Sequence, residues 1–553
     1  MAEAAAARRS GSNSGKGRGK GGAGGGGAGE WSPSRSAAGR YSPWLIVAII
    51  SIPTFMEVLD TSIANVALDH IAGGLSVSND QATWVLTSYL VANAIVIPIS
   101  GWLSDAIGRK RYFLISIALF TLSSLLCGLA PNLSTLVLAR ILQGIGGGGL
   151  APVEQSILAD TFPPAKRGMA FAAFAIVVVV GPVLGPTLGG YIVEYSTWHW
   201  VFLINVPVGI AAWFLVEIFV DEPEQVQQDR KEKFKDGLRI DYIGVALVAL
   251  GLGFLEITFD RGEREDWFSS PLILGSAVIA VTSLVSLVVW ELNHKDPVVD
   301  LRLLKNRNFA LTIGVMAITG MILFGTTQLI PQMLQQVLGY SSLDAGLALT
   351  AGGVATLVAV PFAGRLAGVV DVRFLLFPAL LVQAAALWNM SHLNADITFW
   401  DAATARLYQA MALPFLFVPI NAIAYVGLRQ NQTAQASSLL NVARNLGGTI
   451  GISLSQTLLS NGLQKHQSEL VQPLNPLEPN YNDWLATAGR AFAGQGDPGT
   501  TPLAVLYSQV QRQATMLAFL DVFRTLMIVV LVVAPLVLFM RAGKTGGGQG
   551  GMH

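Results

Sequence analysis

From Trp44 to Met540 this 553-residue chain is a series of apolar runs of about 20 residues, each long enough to cross a hydrocarbon core of roughly 30 Å. Only 13% of its residues are charged, about half the usual share of roughly 25% in soluble domains. The fold class expected is therefore an all-α polytopic membrane protein. Fourteen spans can be drawn, at 44–68, 83–103, 112–130, 134–158, 169–193, 198–220, 241–260, 271–290, 309–337, 345–364, 374–394, 403–427, 434–460 and 519–540.

The basic residues orient these spans, because loops on the cytoplasmic side carry the excess of lysine and arginine. With the first residue inside, the tails and the even-to-odd loops hold 26 of the 35 basic residues, and the opposite side holds five: Arg261, Arg264, Lys465, Arg490 and Arg512. Both ends are thus expected in the cytoplasm. No short apolar region with a small-residue cleavage site opens the chain, so the first apolar helix is expected to act as the insertion signal. Residues 1–43 are Gly-, Ala- and Ser-rich with seven basic residues, a composition that cannot bury a core and predicts disorder. Such a tail can bind RNA or anionic lipid, but its plainer role is to obey the charge bias. The formal net charge of zero invites no nucleic acid. Residues 541–553 form a second Gly-rich tail. A mixed-charge loop is expected at 221–240. A long outside loop, rich in Asn, Gln, Pro and Gly, is expected at 461–518, with short helices at Leu485–Phe492 and Leu503–Met516; it is a docking surface or a passive connector. The single cysteine, Cys127, excludes an intrachain disulfide and reads as a packing residue.

Acidic groups inside spans stand out against this background. Asp60 lies mid-span in Phe55-Met-Glu-Val-Leu-Asp60-Thr-Ser-Ile-Ala-Asn-Val-Ala-Leu68, where a carboxylate costs about 2.5–3.5 kcal/mol to insert. Glu57 lies one turn earlier on the same helix face. Both are expected to face a protein-lined cavity and to handle protons or cations. Span four contains Leu138-Ala-Arg140-Ile-Leu-Gln143-Gly144-Ile-Gly146, and an arginine at such depth needs a partner. Its glycines satisfy G-x-G-x-x-G, but no strand precedes them and no βαβ unit follows, so close helix packing is the better reading. Glu154, about four turns beyond Arg140 on the same span, is too far to pair with it but could line the same cavity. Weaker candidates are Gln328, Gln332, Gln335 and Gln336 on span nine, broken by Pro331, and Asn421, Asn441 and Arg444, for which helix–helix hydrogen bonding is as good a reading. Glu217, Glu256 and Asp260 stand near span ends and read as interfacial.

Two glycine-bearing motifs are more specific. The loop after span two reads Gly101-Trp-Leu-Ser-Asp105-Ala-Ile-Gly108-Arg109-Lys110-Arg111, with glycines for a tight turn and Asp105 free to cap the next helix or pair with an arginine. A degenerate echo, Gly364-Arg365-Leu366 to Asp371-Val-Arg373, follows span ten. Span five carries Gly181-Pro182-Val-Leu-Gly185-Pro186-Thr-Leu-Gly189-Gly190, where prolines remove backbone donors and small residues admit a neighbouring helix.

The first motif and its echo, the Arg140 motif and the G-P-x-x-G-P-x-x-G-G run resemble signatures of the major facilitator superfamily. Residues 44–540 resemble its fourteen-span drug:proton antiporters, the EmrB/QacA type, including Trp198–Gly209 and Asp260–Ser270. The resemblance implies two six-helix bundles, 44–220 and 309–540, with spans seven and eight inserted within 221–308. It implies alternating access, a role for Arg140 in proton transfer, export rather than import, and residence in a bacterial inner membrane. It also implies a periplasmic membrane-fusion adaptor and an outer-membrane channel as partners. Glu57 departs from the family pattern, which has a neutral polar residue there; an added carboxylate would favour cationic substrates or change the proton stoichiometry. No nucleotide-binding lysine motif is present, so the energy source expected is the proton gradient, with no cofactor and no metal. The expected function is proton-coupled efflux of hydrophobic or cationic drug-like compounds. The rivals are an exporter dedicated to one metabolite, such as a siderophore, fatty acid or peptide, and a membrane sensor or scaffold that has lost transport. Scattered histidines and the absence of a Ser/His/Asp set or of zinc cysteines give an enzyme no support.

Overall fold

A computed structural model describes residues 41–233, 240–428, 432–475, 477, 479–491 and 500–540. The tail through residue 40, the tail at 541–553 and part of the 221–240 loop lie outside the described residues. Among the described residues the chain is helical throughout, with no strand. Lipid offers no water to free N–H and C=O groups, so the backbone satisfies itself within helices.

Thirteen helices are long and apolar enough to cross a membrane. In chain order, with one further helix, they are α1 (Pro43–Val66), α2 (Asn79–Ile107), α3 (Arg109–Gly128), α4 (Leu133–Thr161), α5 (Pro164–Tyr195), α6 (Trp200–Phe219), α7 (Tyr242–Arg261), α8 (Pro271–Asn293), α9 (Arg307–Leu338), α10 (Asp344–Val369), α11 (Val372–Met390), α12 (Phe399–Ile423), α13 (Thr433–Val471) and α14 (Thr501–Phe539). Each expected span falls on one of them. The further helix, α13, is 39 residues long but less apolar, because Gln435, Ser437, Ser438, Asn441, Arg444 and Asn445 occupy its first turns. Helix starts are written locally: the side chains of Asn132, Asp241, Asn306, Asp371 and Thr398 each accept a first-turn backbone N–H that the helix itself leaves unpaired.

Helices α1–α6 and α9–α14 pack by the same scheme. In the first set α1 lies along α5, α2 on α4 and α3 on α6; in the second α9 lies along α13, α10 on α12 and α11 on α14. The two sets meet along two seams, α5 against α10 and α2 against α13, with α4 also touching α13. The inserted α7 and α8 pair with each other, and α7 rests on α2 while reaching α13. Helix α8 is peripheral, with 28% of its most apolar window buried against 78% for α5. Its exposed Val278, Val281, Val285 and Val289 form an outward apolar stripe suited to lipid.

Three expectations are corrected. The 461–518 loop is much shorter than its composition suggests, since α13 continues to Val471 and a helix resumes at Thr500. The separate Leu503–Met516 helix is the outer part of α14; Pro502 stands in its first turn, where proline is tolerated, and nothing breaks the run beyond it. A short helix, Pro479–Ala491, does lie between them. Pro331 does not interrupt α9, which runs unbroken from Arg307 to Leu338; prolines are tolerated inside membrane-spanning helices.

Candidate functional site

Asp60 on α1 and Arg140 on α4 meet in the interior of the first helix set, both 0% exposed. Arg140 donates from Nη1 to Asp60 Oδ2 at 2.6 Å and from Nε to the Val85 carbonyl at 3.0 Å. The other carboxylate oxygen accepts from Gln143 Nε2 at 2.9 Å and Asn205 Nδ2 at 2.7 Å. Both amides also donate to Ser124 Oγ, at 2.8 and 3.1 Å. The guanidinium lies 4.2 Å from the Tyr89 ring centre and 5.5 Å from that of Phe202, within reach of a cation–π attraction. An ion pair so far from water is tenable because both carboxylate oxygens are paired and the guanidinium is bonded at Nη1 and Nε, although its Nη2 has no hydrogen-bond acceptor. Helix α5 presses against the helix that carries the acid. A Cβ added at Gly181, Gly185 or Gly189 would lie within 3.3 Å of Val58, Ser62 or Ile63, and Ser62 Oγ donates to the Pro182 carbonyl at 3.2 Å. Pro186 lies inside the same helix and Gly190 is buried beside it.

Glu57 is half-buried and has different neighbours. The Tyr89 hydroxyl donates to it at 3.2 Å and Asn93 Nδ2 at 3.3 Å, so Tyr89 links Glu57 to the Asp60–Arg140 pair. Glu154 does not continue the helix of Arg140: α4 breaks at Gly148 and Gly149 into Leu133–Gly147 and Leu150–Thr161. Within the second piece Glu154 is fully buried and accepts from Ser51 Oγ at 2.6 Å. The seam to the second set is polar. Asn441 Nδ2 donates to Gln155 at 2.8 Å and Asn445 Nδ2 to Asn93 at 3.5 Å. The buried Arg444 acts electrostatically on both Glu57 and Glu154. The glutamines of α9 are not assembled at this seam. Gln332 pairs with Gln456 of α13 at 2.8 Å, Gln328 is half-buried, and Gln335 and Gln336 are exposed. Asn421 donates to its own helix at the Phe417 carbonyl.

At the end of the bundle that carries Arg109, the two sets are fastened together. Gly101 brings α2 to 3.0 Å from the Ala434 carbonyl, measured from an added Cβ. Ser438 Oγ donates to the Ile97 and Pro98 carbonyls at 2.7 and 2.9 Å. Arg109 forms a buried ion pair with Asp160 and donates to Thr433 Oγ1 at 3.0 Å, joining α3, α4 and α13. Gly108, at φ +104°, occupies the cap position of α3, a conformation that suits glycine.

Glu256 and Asp260 correct the interfacial expectation. Glu256 is 3% exposed and accepts from Thr449 Oγ1 of α13 at 2.9 Å. Asp260 accepts from Thr87 of α2. Hydropathy counted along the chain places them at a span end; the packing of α7 across α2 and α13 encloses them. Thr449→Val should leave Glu256 without this donor and lower the stability of the purified protein by about 1–3 kcal/mol, read as a drop in melting temperature. Tyr89, Asn93, Ser51, Ser124 and Gln155 escape sequence reasoning. They are ordinary polar residues with no spacing signal, whereas Gln143 and Asn205 lie in the recognised stretches.

Two mirrored helix sets, a sealed acid–guanidinium pair and a polar seam between the sets define a two-half membrane transporter, not an enzyme. Residues 50–452 match the Major Facilitator Superfamily. The chain is 37% identical over 511 residues to the multidrug export protein EmrB of Escherichia coli K12, covering 92% of this chain and 98% of that protein. It is 35% identical over 510 residues to the fatty acid resistance protein FarB of Neisseria gonorrhoeae, covering 92% and 97%. The fold resembles the proton:xylose symporter XylE, with a TM-score of 0.56 at 15% identity over 91% of this chain and 96% of that one. The chain belongs to the major facilitator superfamily and, within it, to the EmrB group of multidrug exporters.

Proposed function

We propose that this protein is a proton-coupled multidrug antiporter that exports hydrophobic and cationic compounds by alternating access. It sits in a bacterial inner membrane with both ends in the cytoplasm, draws on the proton gradient without a cofactor, and works with a periplasmic adaptor and an outer-membrane channel. The observation that carries the reading is Asp60, sealed from water and bonded to three side chains on two helices other than its own. Protonating that carboxylate removes the charge opposing Arg140 and frees α1 and α4 to shift. Cargo enters the polar seam, where Glu57 and Glu154 favour a positive charge. Competition between proton and cargo for this negative region then couples their movements in opposite directions.

Reconstitution in liposomes under an imposed pH gradient, with a panel of unrelated dyes, tests the reading. Dye movement that collapses with the gradient, and mutual competition among the dyes, are the expected results; gradient-independent movement would refute it. Glu57→Gln should weaken export of monocations by about tenfold, about 1.4 kcal/mol, and leave uncharged dyes unaffected. The name of the gonococcal relative favours one rival, a transporter dedicated to a single class such as fatty acids. The absence of competition between chemically unrelated dyes would select that rival.

A further inference from the structure

One sealed acid lies outside both helix sets. Glu256, on the inserted helix α7, is 3% exposed. Both its oxygens look to a single donor, Thr449 Oγ1 of α13, at 2.9 and 3.2 Å. Among the described residues, the elements around it offer no cation. On α2, Val91 and Ile95 border Gly253, three residues earlier on α7, and on α8 Leu284 borders Gly251. Arg444 of α13 acts instead on Glu57 and Glu154, and Arg261 pairs with Asp80 and Glu265. The charge that does act on Glu256 has the same sign, the carboxylate of Asp260 one turn on. Asp260 is better served, since it accepts from Thr87 and lies in the field of Arg261 and Arg264.

An ionised carboxylate shut away from water with one neutral hydroxyl is strongly disfavoured, and such a group takes up a proton instead. In water the same side chain ionises freely. The contact that seals Glu256 lies on the seam between the two helix sets. One turn before Thr449, Asn445 donates to Asn93 of α2 at 3.5 Å. Two turns beyond it, Thr457 accepts from Trp267, just past α7, at 3.2 Å. Helix α7 rests on α2, so any parting of α2 from α13 at this level draws Glu256 away from Thr449 and lets water reach it.

We propose that Glu256 is a proton-operated clasp: protonated, it lets α7 close on α13 at the outer mouth; ionised, it holds the two apart. On opening, the O–H bond of the acid breaks and the proton passes to water; on closing, the carboxylate takes a proton back. A proton arriving from the acidic outer side thus shuts the mouth behind released cargo, a coupling role beyond the buried pair of Asp60 and Arg140. The outward placement of this end and the meaning of the cargo rest on the exporter reading, but the closing motion can be read without transport and without a gradient.

Spin labels on Phe268→Cys, exposed just past α7, and on Gln464→Cys, exposed on the outer part of α13, report the gap by pulsed electron resonance. The sample is the purified full chain in a zwitterionic lipid nanodisc, with the buried Cys127 replaced by alanine. From about pH 9 down to about pH 5 the short-distance population should grow against the long one, by up to about tenfold per unit for a single proton. Glu256→Gln, uncharged at every pH, should show the short distance throughout and no response, while Glu256→Asp should retain the response. Asp80, Asp260, Glu265 and His466, which also carry titratable groups toward this mouth, are unchanged in both variants. A side chain that merely packs would leave the pH response in place, so a response that survives Glu256→Gln overturns the proposal. A wild-type distance that ignores pH overturns it equally. Should Glu256→Gln fail to fold, Glu256→Met, apolar and of similar length, is read by the same criterion. Acid-dependent closing without any dye movement in liposomes would fault the exporter reading and leave the clasp standing; dye movement without such closing would do the reverse.

Discussion

Asp60→Asn is expected to reduce substrate-driven proton release to the level of protein-free liposomes while leaving the folded yield intact. The amide keeps the volume of the side chain and an oxygen that Arg140 or Asn205 can still reach, at 2.6 and 2.7 Å in the native arrangement. What it loses is the capacity to gain and release a proton at this position. Asp60→Ala is a different experiment. It strands the fully buried Arg140 guanidinium without its counter-charge, a loss of about 3–5 kcal/mol when one member of a buried pair is removed. The alanine variant should therefore fail to accumulate or melt far below wild type. Measured side by side, the two separate coupling from folding, and unchanged antiport by the asparagine variant would sink the proposed role of Asp60.

Gly447→Ala should be the most damaging of the small substitutions in the second helix set. A Cβ at this position of α13 would stand 2.0 Å from the Ala317 carbonyl of α9, and one at Gly320 would stand 2.1 Å from the Arg444 carbonyl. These obstacles are backbone atoms, which cannot swing aside as a side-chain tip can. Overpacking of this kind costs about 1–3 kcal/mol, occasionally more. Gly314 on α9 has no atom within 4 Å of an added Cβ. Gly314→Ala should therefore be neutral or stabilising by about 0.5–1 kcal/mol, since alanine loses less backbone freedom on forming a helix. Melting temperatures of the two variants in one detergent check the contrast, and equal shifts would contradict it.

The elements written in the chain by sharp physical rules are legible in the amino-acid sequence itself. Span length and the cost of a mid-span carboxylate are one-dimensional signals, and they single out Asp60 and Arg140 directly. The glycines at 101, 181, 185 and 189 are equally plain, because close helix approach requires the smallest residue. What the chain hides is which polar residues answer one another across helices. Tyr89, Asn93, Gln155 and Ser51 carry no spacing mark and gain meaning only through their neighbours. Glu256 and Asp260 are misplaced by hydropathy because distance along a helix says nothing about what packs over its end. Helix α13 is blurred for the opposite reason, since the residues that face the seam dilute its apolar character.

The inserted α7 holds on to both halves at once. Asp260 takes a hydroxyl from Thr87 on α2, Glu256 takes one from Thr449 on α13, and Trp267, just past the helix, donates to Thr457. Any rocking that parts α2 from α13 at this level must snap one grip or the other. If the two halves alternate as proposed, α7 would be a tether that limits how widely the mouth can swing, and loosening it would trade tightness of the seal for amplitude of the stroke.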